Sequence, residues 1–261
     1  MENDTALIDV DAYRPARMAA LAEGAGVAKA EMGLAKLFAL AMLAGAFIAF
    51  GALFYMVAIT GSGLGWGPTR LLGGLAFCLG LILVVVAGAE LFTGNNLIVM
   101  AWAHRKVSTA ALLRNWVVVY LGNFVGAAGL AVAVVVAGVI DGGVRETAVA
   151  IAAAKVELDP AAALVRGILC NALVCLAIWL CFAARRVTGK VLAILFPITA
   201  FVAIGFEHSV ANMFFLPLGL WADGGAILGP TLANLIPVTL GNIIGGAGLV
   251  GGTYWFCYLR D

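Results

Sequence analysis

The stretch GFEHSVANM, Gly205–Met213, places a glutamate, a histidine, a serine and an asparagine inside an apolar run from about Val191 to Leu218. Ionisable side chains at bilayer depth cost roughly 2.5–3.5 kcal/mol each on insertion scales, and they mark pathways. An earlier stretch, GAELFTGNN, Gly88–Asn96, has the same skeleton. In both, a glutamate follows a glycine by two (Gly88 and Glu90, Gly205 and Glu207) and an asparagine follows the glutamate by five (Asn95, Asn212). Two polar breaks in corresponding apolar segments point to a transport site.

Composition agrees with the setting this requires. The chain has 261 residues, 64% hydrophobic and 11% charged, with a mean hydropathy of +1.09. Soluble domains are nearer 45–50% apolar, so the chain reads as an all-α polytopic membrane protein. The net charge is +1 and no basic run occurs, so nucleic acid is not an expected partner. The 33 glycines suit close helix packing in lipid. Cys78, Cys170, Cys175, Cys181 and Cys257 all lie in apolar spans without a CxxC or Cys/His cluster. They read as small buried hydrophobes, and no metal, cofactor or disulfide is expected. Glu2, Asp4, Asp9 and Asp11 precede any basic residue, which is the wrong start for a signal peptide.

Six spans are predicted, at about 37–59, 71–103, 112–140, 161–184, 191–217 and 231–259, each long enough to cross a bilayer. The second and fifth carry the breaks. The third and sixth hold matching segments, LGNFVGAAGL from Leu121 and LGNIIGGAGL from Leu240. Gly88 to Gly122 is 34 residues and Gly205 to Gly241 is 36, so a three-span unit occurs twice. Three being odd, the second copy enters from the opposite side, and the breaks can meet near the midplane. The domain reading is a tail over 1–36 with an interfacial helix, a first repeat over 37–140, a connecting extracytoplasmic loop over 141–160, and an inverted repeat over 161–259. Lysines and arginines divide 11 to 4 between the two sides, which places both termini in the cytoplasm.

A broken helix leaves N–H and C=O groups that must be met by protein or water. Glu90 and Glu207 are expected to staple their breaks by accepting from freed N–H groups, with Asn95 and Asn212 serving donors and acceptors. Proton carriage by Glu207 is the alternative. His208 has no such repeat-imposed duty, because Leu91 stands in its place in the first break. It reads as a pore-lining imidazole able to donate to, or lend a proton to, a small anion; a buried, hydrogen-bonded histidine is the alternative. His104, beside Arg105, reads as solvated. Thr93 supplies a hydroxyl at the first break, and Leu91, Phe92, Phe77 and Phe201 are candidates for a dry constriction. Asn171 is a lone amide in the fourth span, suited to joining helices.

ELFTGNN and GFEHSVANM, with the repeated LGN and Lys155 sixteen residues before Asn171, resemble the formate/nitrite transporter family over nearly the whole chain. The resemblance implies an aquaporin-like fold of six helices and a homopentamer with one pore per protomer. It implies passage of formate, nitrite or hydrosulfide, often with protons, across a bacterial inner membrane. It also implies that His208 and Thr93 form the central polar pair, and that Leu91, Phe92 and Phe201 build one constriction. Phe77, Leu81 and Val174 would narrow the rest. Lys155 and Asn171 would draw the anion in and polarise the histidine, and the N-terminal tail would lie near a cytoplasmic gate. The run Met213–Pro217 looks closest to formate members, with nitrite next. A neutral-solute channel would share the fold but would not need an ionisable His–Lys pair. A hydrolase lacks its parts: Ser62 lies in a loop, Ser209 adjoins His208 in sequence, and no HExxH occurs.

Overall fold

Twelve α-helices follow one another in the computed structural model, which describes residues 12–260. They are α1 (Pro15–Glu31), α2 (Leu34–Ile59), α3 (Trp66–Ala87), α4 (Phe92–Asn95), α5 (Val99–Ala103), α6 (Thr109–Val136), α7 (Gly142–Val156), α8 (Pro160–Ala183), α9 (Val187–Ile204), α10 (Ser209–Asp223), α11 (Leu228–Ile243) and α12 (Thr253–Tyr258). A 3-10 turn, Asn96–Ile98, joins α4 to α5, and a π-helical segment, Ile244–Gly252, joins α11 to α12. Six units are long and apolar enough to cross a membrane: α2, α3, α6, α8, α9 and the continuous run Leu228–Tyr258. The acidic start of the tail, Glu2 to Asp11, lies outside the described residues.

Local sequence sets the ends. Ser108 caps α6 by accepting from Ala111 N–H, and Asp159 caps α8 by accepting from Ala161 and Ala162 with Pro160 in the first turn. The two breaks are made by Gly88 and Gly205, whose φ values of +82° and +90° end α3 and α9 in a left-handed conformation. That region clashes with a Cβ, so glycine is the residue that turns the chain there.

Helix α2 packs against α3 and α6, and α8 packs in the same way against α9 and α11. The halves join where α3 meets α9. A Cβ on Gly74 would stand 2.7 Å from Thr199 O, so this contact is backbone against backbone. The helix surfaces turned outward are apolar: Val136 is 81% exposed and Phe196 80%. Such faces belong against lipid or a neighbouring protomer.

Two connections differ from the sequence expectation. The segment 141–160, expected as a loop, is largely helix α7, started by Asp141 and carried by its alanine run. Alanine is the strongest helix former, and the charges at Arg145 and Glu146 do not interrupt it. The helix expected in the tail is α1, and its buried face meets protein: Met18, Ala19 and Ala22 pack with Leu97, Met100 and Trp179. Glu23 of α1 bonds His104 Nδ1 and, at 2.5 Å, Lys106 Nζ. His104 is therefore paired rather than simply solvated, because α1 brings a carboxylate over that turn.

Candidate functional site

The interrupted backbone is met by amides from the LGN segments. Asn123 Oδ1 accepts from Phe92 N–H at 2.9 Å, while its Nδ2 donates to Ala41 O (2.7 Å) and Glu90 O (2.9 Å). Asn242 repeats this: Oδ1 accepts from Ser209 N–H at 2.9 Å, and Nδ2 donates to Gly167 O (2.9 Å) and Glu207 O (3.0 Å). Each amide thus serves one freed donor and two carbonyls, using both of its polar ends. Main-chain bonds Glu90 N to Leu40 O and Glu207 N to Arg166 O complete the pair of breaks.

The glutamate side chains are engaged elsewhere. Glu90 accepts from Lys29 Nζ (2.9 Å) and Asn95 Nδ2 (2.8 Å); Glu207 accepts from Lys155 Nζ with both oxygens (2.9 Å each) and from Asn212 Nδ2 (2.6 Å). Asn95 Nδ2 also donates to Asn115 Oδ1, and Asn212 Nδ2 to Asn234 Oδ1. Asn115 and Asn234 in turn donate to the main-chain oxygens of Lys29 and Lys155. The glutamates therefore hold lysine-bearing helices α1 and α7 onto the breaks, and each break carries the same Lys–Glu–Asn–Asn circuit. Buried carboxylates in such a circuit are paired and hydrogen-bonded, as burial requires. Lys29, Asn115, Asn123, Asn234 and Asn242 were not among the expected site residues.

His208 is the N-cap of α10: its Nδ1 accepts from Ala211 N–H at 3.1 Å. With Nδ1 occupied as an acceptor, the neutral ring carries its proton on Nε2, an assignment made from this bonding pattern. Nε2 lies 3.0 Å from Thr93 Oγ1, so the imidazole donates to the threonine and Thr93 keeps its own O–H free to donate. This contact spans the two breaks. Asn171, fully buried, strengthens the junction by donating to Thr93 O (3.2 Å), Asn96 Oδ1 (3.1 Å) and Asn242 O (2.7 Å). The Phe201 ring stacks on His208 at 5.9 Å between centroids, and Phe77 meets Phe201 edge-on at 5.7 Å.

Two cavities flank this centre. One, of about 370 Å³, lies on the α1 side and is bordered by Lys29, Glu90, Asn95 and Leu91. The other, of about 90 Å³, lies on the α7 side and is bordered by Lys155, Glu207, His208, Phe77 and Phe201. The six constriction candidates are placed unequally. Leu91 lines the first cavity, and Phe77 and Phe201 line the second. Leu81, Phe92 and Val174 are buried in the same apolar core but border neither cavity. The Phe92 ring packs edge-on against Tyr120 (5.0 Å) and Trp116 (6.3 Å). The arrangement is a pair of largely apolar cavities, each with a paired lysine at its border, separated by apolar side chains and one histidine–threonine contact.

A family model described as formate/nitrite transporter matches residues 16–256. The chain is 41% identical to the formate channel FocA of Escherichia coli K12 over 274 residues, covering 96% of each protein. Its fold matches a solved structure described as a pentameric formate channel with formate bound, with a TM-score of 0.79 at 42% identity, covering 87% of this chain and 98% of that one. A structure described as an FNT family ion channel matches with a TM-score of 0.84 at 29% identity, covering 92% and 98%.

Proposed function

The chain belongs to the formate/nitrite transporter family, and from that premise we propose that it is a formate channel whose conduction is linked to protons. The observation that carries this reading is the His208–Thr93 contact set between two cation-bearing vestibules and apolar closures. An unpaired anion entering an apolar zone of low dielectric faces a Born cost of tens of kcal/mol. A weak acid avoids it by crossing the closure of Leu91, Phe77 and Phe201 as the neutral molecule, then releasing its proton in the far vestibule.

In this scheme His208 stays neutral at the centre. Its Nε2–H and the Thr93 hydroxyl are the hydrogen-bond donors that receive the carboxyl oxygens and hold the solute in line. Protonating Nδ1 would set two donors against each other at Ala211 N–H, so a cationic ring must surrender the cap of α10. The proton therefore travels with the substrate, taken up in a vestibule. Lys155 and Lys29, each paired with its glutamate, keep the mouths polar and hydrated. The exposed apolar flanks suit a homopentamer in a bacterial inner membrane, both termini in the cytoplasm and α1 at the cytoplasmic mouth as its gate.

Stopped-flow uptake into proteoliposomes tests this, with formate, nitrite and hydrosulfide compared at pH values on both sides of neutral. Formate fastest, with flux rising as pH falls, is the expected result. Nitrite or hydrosulfide fastest would overturn the substrate, and flux of glycerol or water without any anion would overturn the function.

A further inference from the structure

The lysines nearest the breaks are already neutralised, and this changes which charges attract the anion. In the α7-side cavity Lys155 bonds both oxygens of Glu207, with only 14% and 5% of the two side chains exposed. The other border residues with charge reduce to one, Arg70. In the α1-side cavity Lys29 is matched by Glu90, and again one charged border residue is left over, Lys190. Each vestibule therefore carries one net positive charge, and in neither does it belong to the Lys–Glu–Asn–Asn circuit.

Both residues are arranged to present that charge. Arg70 Nε donates to Ala203 O, a terminal carbonyl of α9, and its guanidinium carbon lies 5.2 Å from the centre of the Trp66 ring. These contacts fix the plane of the guanidinium and leave both Nη groups without a protein acceptor among the described residues. Gly205 makes room for them: a Cβ there would stand 2.8 Å from Arg70 Nη2. The left-handed glycine that breaks the span is thus also the floor on which the guanidinium rests. Lys190 sits in the first turn of α9 with its ammonium free of any carboxylate among the described residues, beside Cys181, whose Sγ–H donates to Lys190 O.

We propose that Arg70 and Lys190 are the anion-docking residues of the two vestibules, collecting a small carboxylate at each mouth before it reaches His208. This rests on the reading of the protein as an anion channel and adds the residues that set apparent affinity. A guanidinium with two free Nη groups matches a carboxylate bidentately, whereas an ammonium holds it as a point charge. A lysine already paired with a carboxylate offers an incoming anion only a dipole, which weakens with distance faster than a charge.

The test is the concentration dependence of formate uptake into proteoliposomes for Arg70→Gln, Lys190→Gln, the double variant, and the charge-keeping Arg70→Lys and Lys190→Arg. Removing one unscreened charge at contact range is expected to raise the half-saturating concentration about three- to tenfold, leaving the limiting rate within about twofold. Ionic strength should blunt wild-type uptake at low formate and should have little effect on the double variant, since screening acts on the charge that has been removed. Arg70→Lys should restore most of the affinity. Equal defects in Arg70→Lys and Arg70→Gln would reduce Arg70 to a cap for Ala203 O and overturn its docking role. Unchanged half-saturation and salt response in Lys190→Gln, which removes no side-chain hydrogen bond among the described residues, would overturn the proposal even if Arg70→Gln failed to assemble. Wild-type protein that carries no anion would sink the channel reading and this proposal together, an outcome distinct from normal wild-type flux with indifferent variants.

Discussion

Replacing Asn242 by alanine removes three hydrogen bonds at one buried point, to Ser209 N–H, Gly167 O and Glu207 O. Each bond contributes about 0.5–1.5 kcal/mol net, and a buried backbone group left without a partner costs about 1–3 kcal/mol. Water entering the vacated amide space can serve one or two of the three groups, which offsets part of the loss. The expected destabilisation is about 3–6 kcal/mol, a large share of the 5–15 kcal/mol typical of a folded chain. Because Asn123 makes the equivalent three bonds, Asn123→Ala should lose about the same amount. Thermal unfolding of detergent-solubilised protein, read by tryptophan fluorescence, should then show Tm lowered by about 6–24 °C for each variant, at about 2–4 °C per kcal/mol for a chain of this size. A shift under about 3 °C in either variant, or a loss at one position only, would refute the reasoning that these amides close the two breaks.

Lys155→Met should cost about 3–5 kcal/mol, because it leaves the Glu207 carboxylate buried without a counter-charge, and adding Glu207→Gln should recover most of it in the same unfolding assay. Lys29→Met should cost less, since the Lys29 side chain is 30% exposed and water reaches Glu90 more readily. His208→Asn keeps an N-cap for α10 but removes the Nε2–H donor, so the protein should fold and conduct formate at least tenfold more slowly in stopped-flow uptake; wild-type flux would remove the histidine from conduction. Gly205→Ala should be more destabilising than Gly88→Ala in a Tm comparison. Both lose a left-handed glycine worth about 1–2 kcal/mol, but only the first also collides with Arg70.

The six spans and both breaks were legible because each left a local signature: long apolar runs, and polar residues where none belong. The amides that close the breaks were visible in another guise. LGN was read as the mark of a repeat, and the further asparagines stand at matching distance, Asn115 eight before Asn123 and Asn234 eight before Asn242. That second register marks the asparagines of both circuits. Lys29 was hidden for a different reason. It stands 61 residues before Glu90 while Lys155 stands 52 before Glu207, so no fixed spacing ties the lysines to the breaks. Helix α7 escaped notice because charge and modest hydropathy imitate a loop, although its alanines favour a helix. The direction of the Phe92 ring is set by Tyr120 and Trp116, which are far from it in sequence. No local pattern encodes such a choice.

The paired circuits carry a consequence for direction. Seen from α1 or from α7, a solute meets the same sequence of groups: a lysine, a glutamate, two asparagines and a backbone turn held by a third. Such a scaffold has no built-in sense of forward and backward. The twofold likeness fails where His208 stands opposite Leu91 and where the cavities differ in size, about 370 Å³ against 90 Å³. Rectification can originate at those places, and also where Arg70 in one vestibule answers to Lys190 in the other. A variant that exchanged the residues, Leu91→His with His208→Leu, would be expected to turn the preferred sense of flow around, while giving up the side-chain cap of α10.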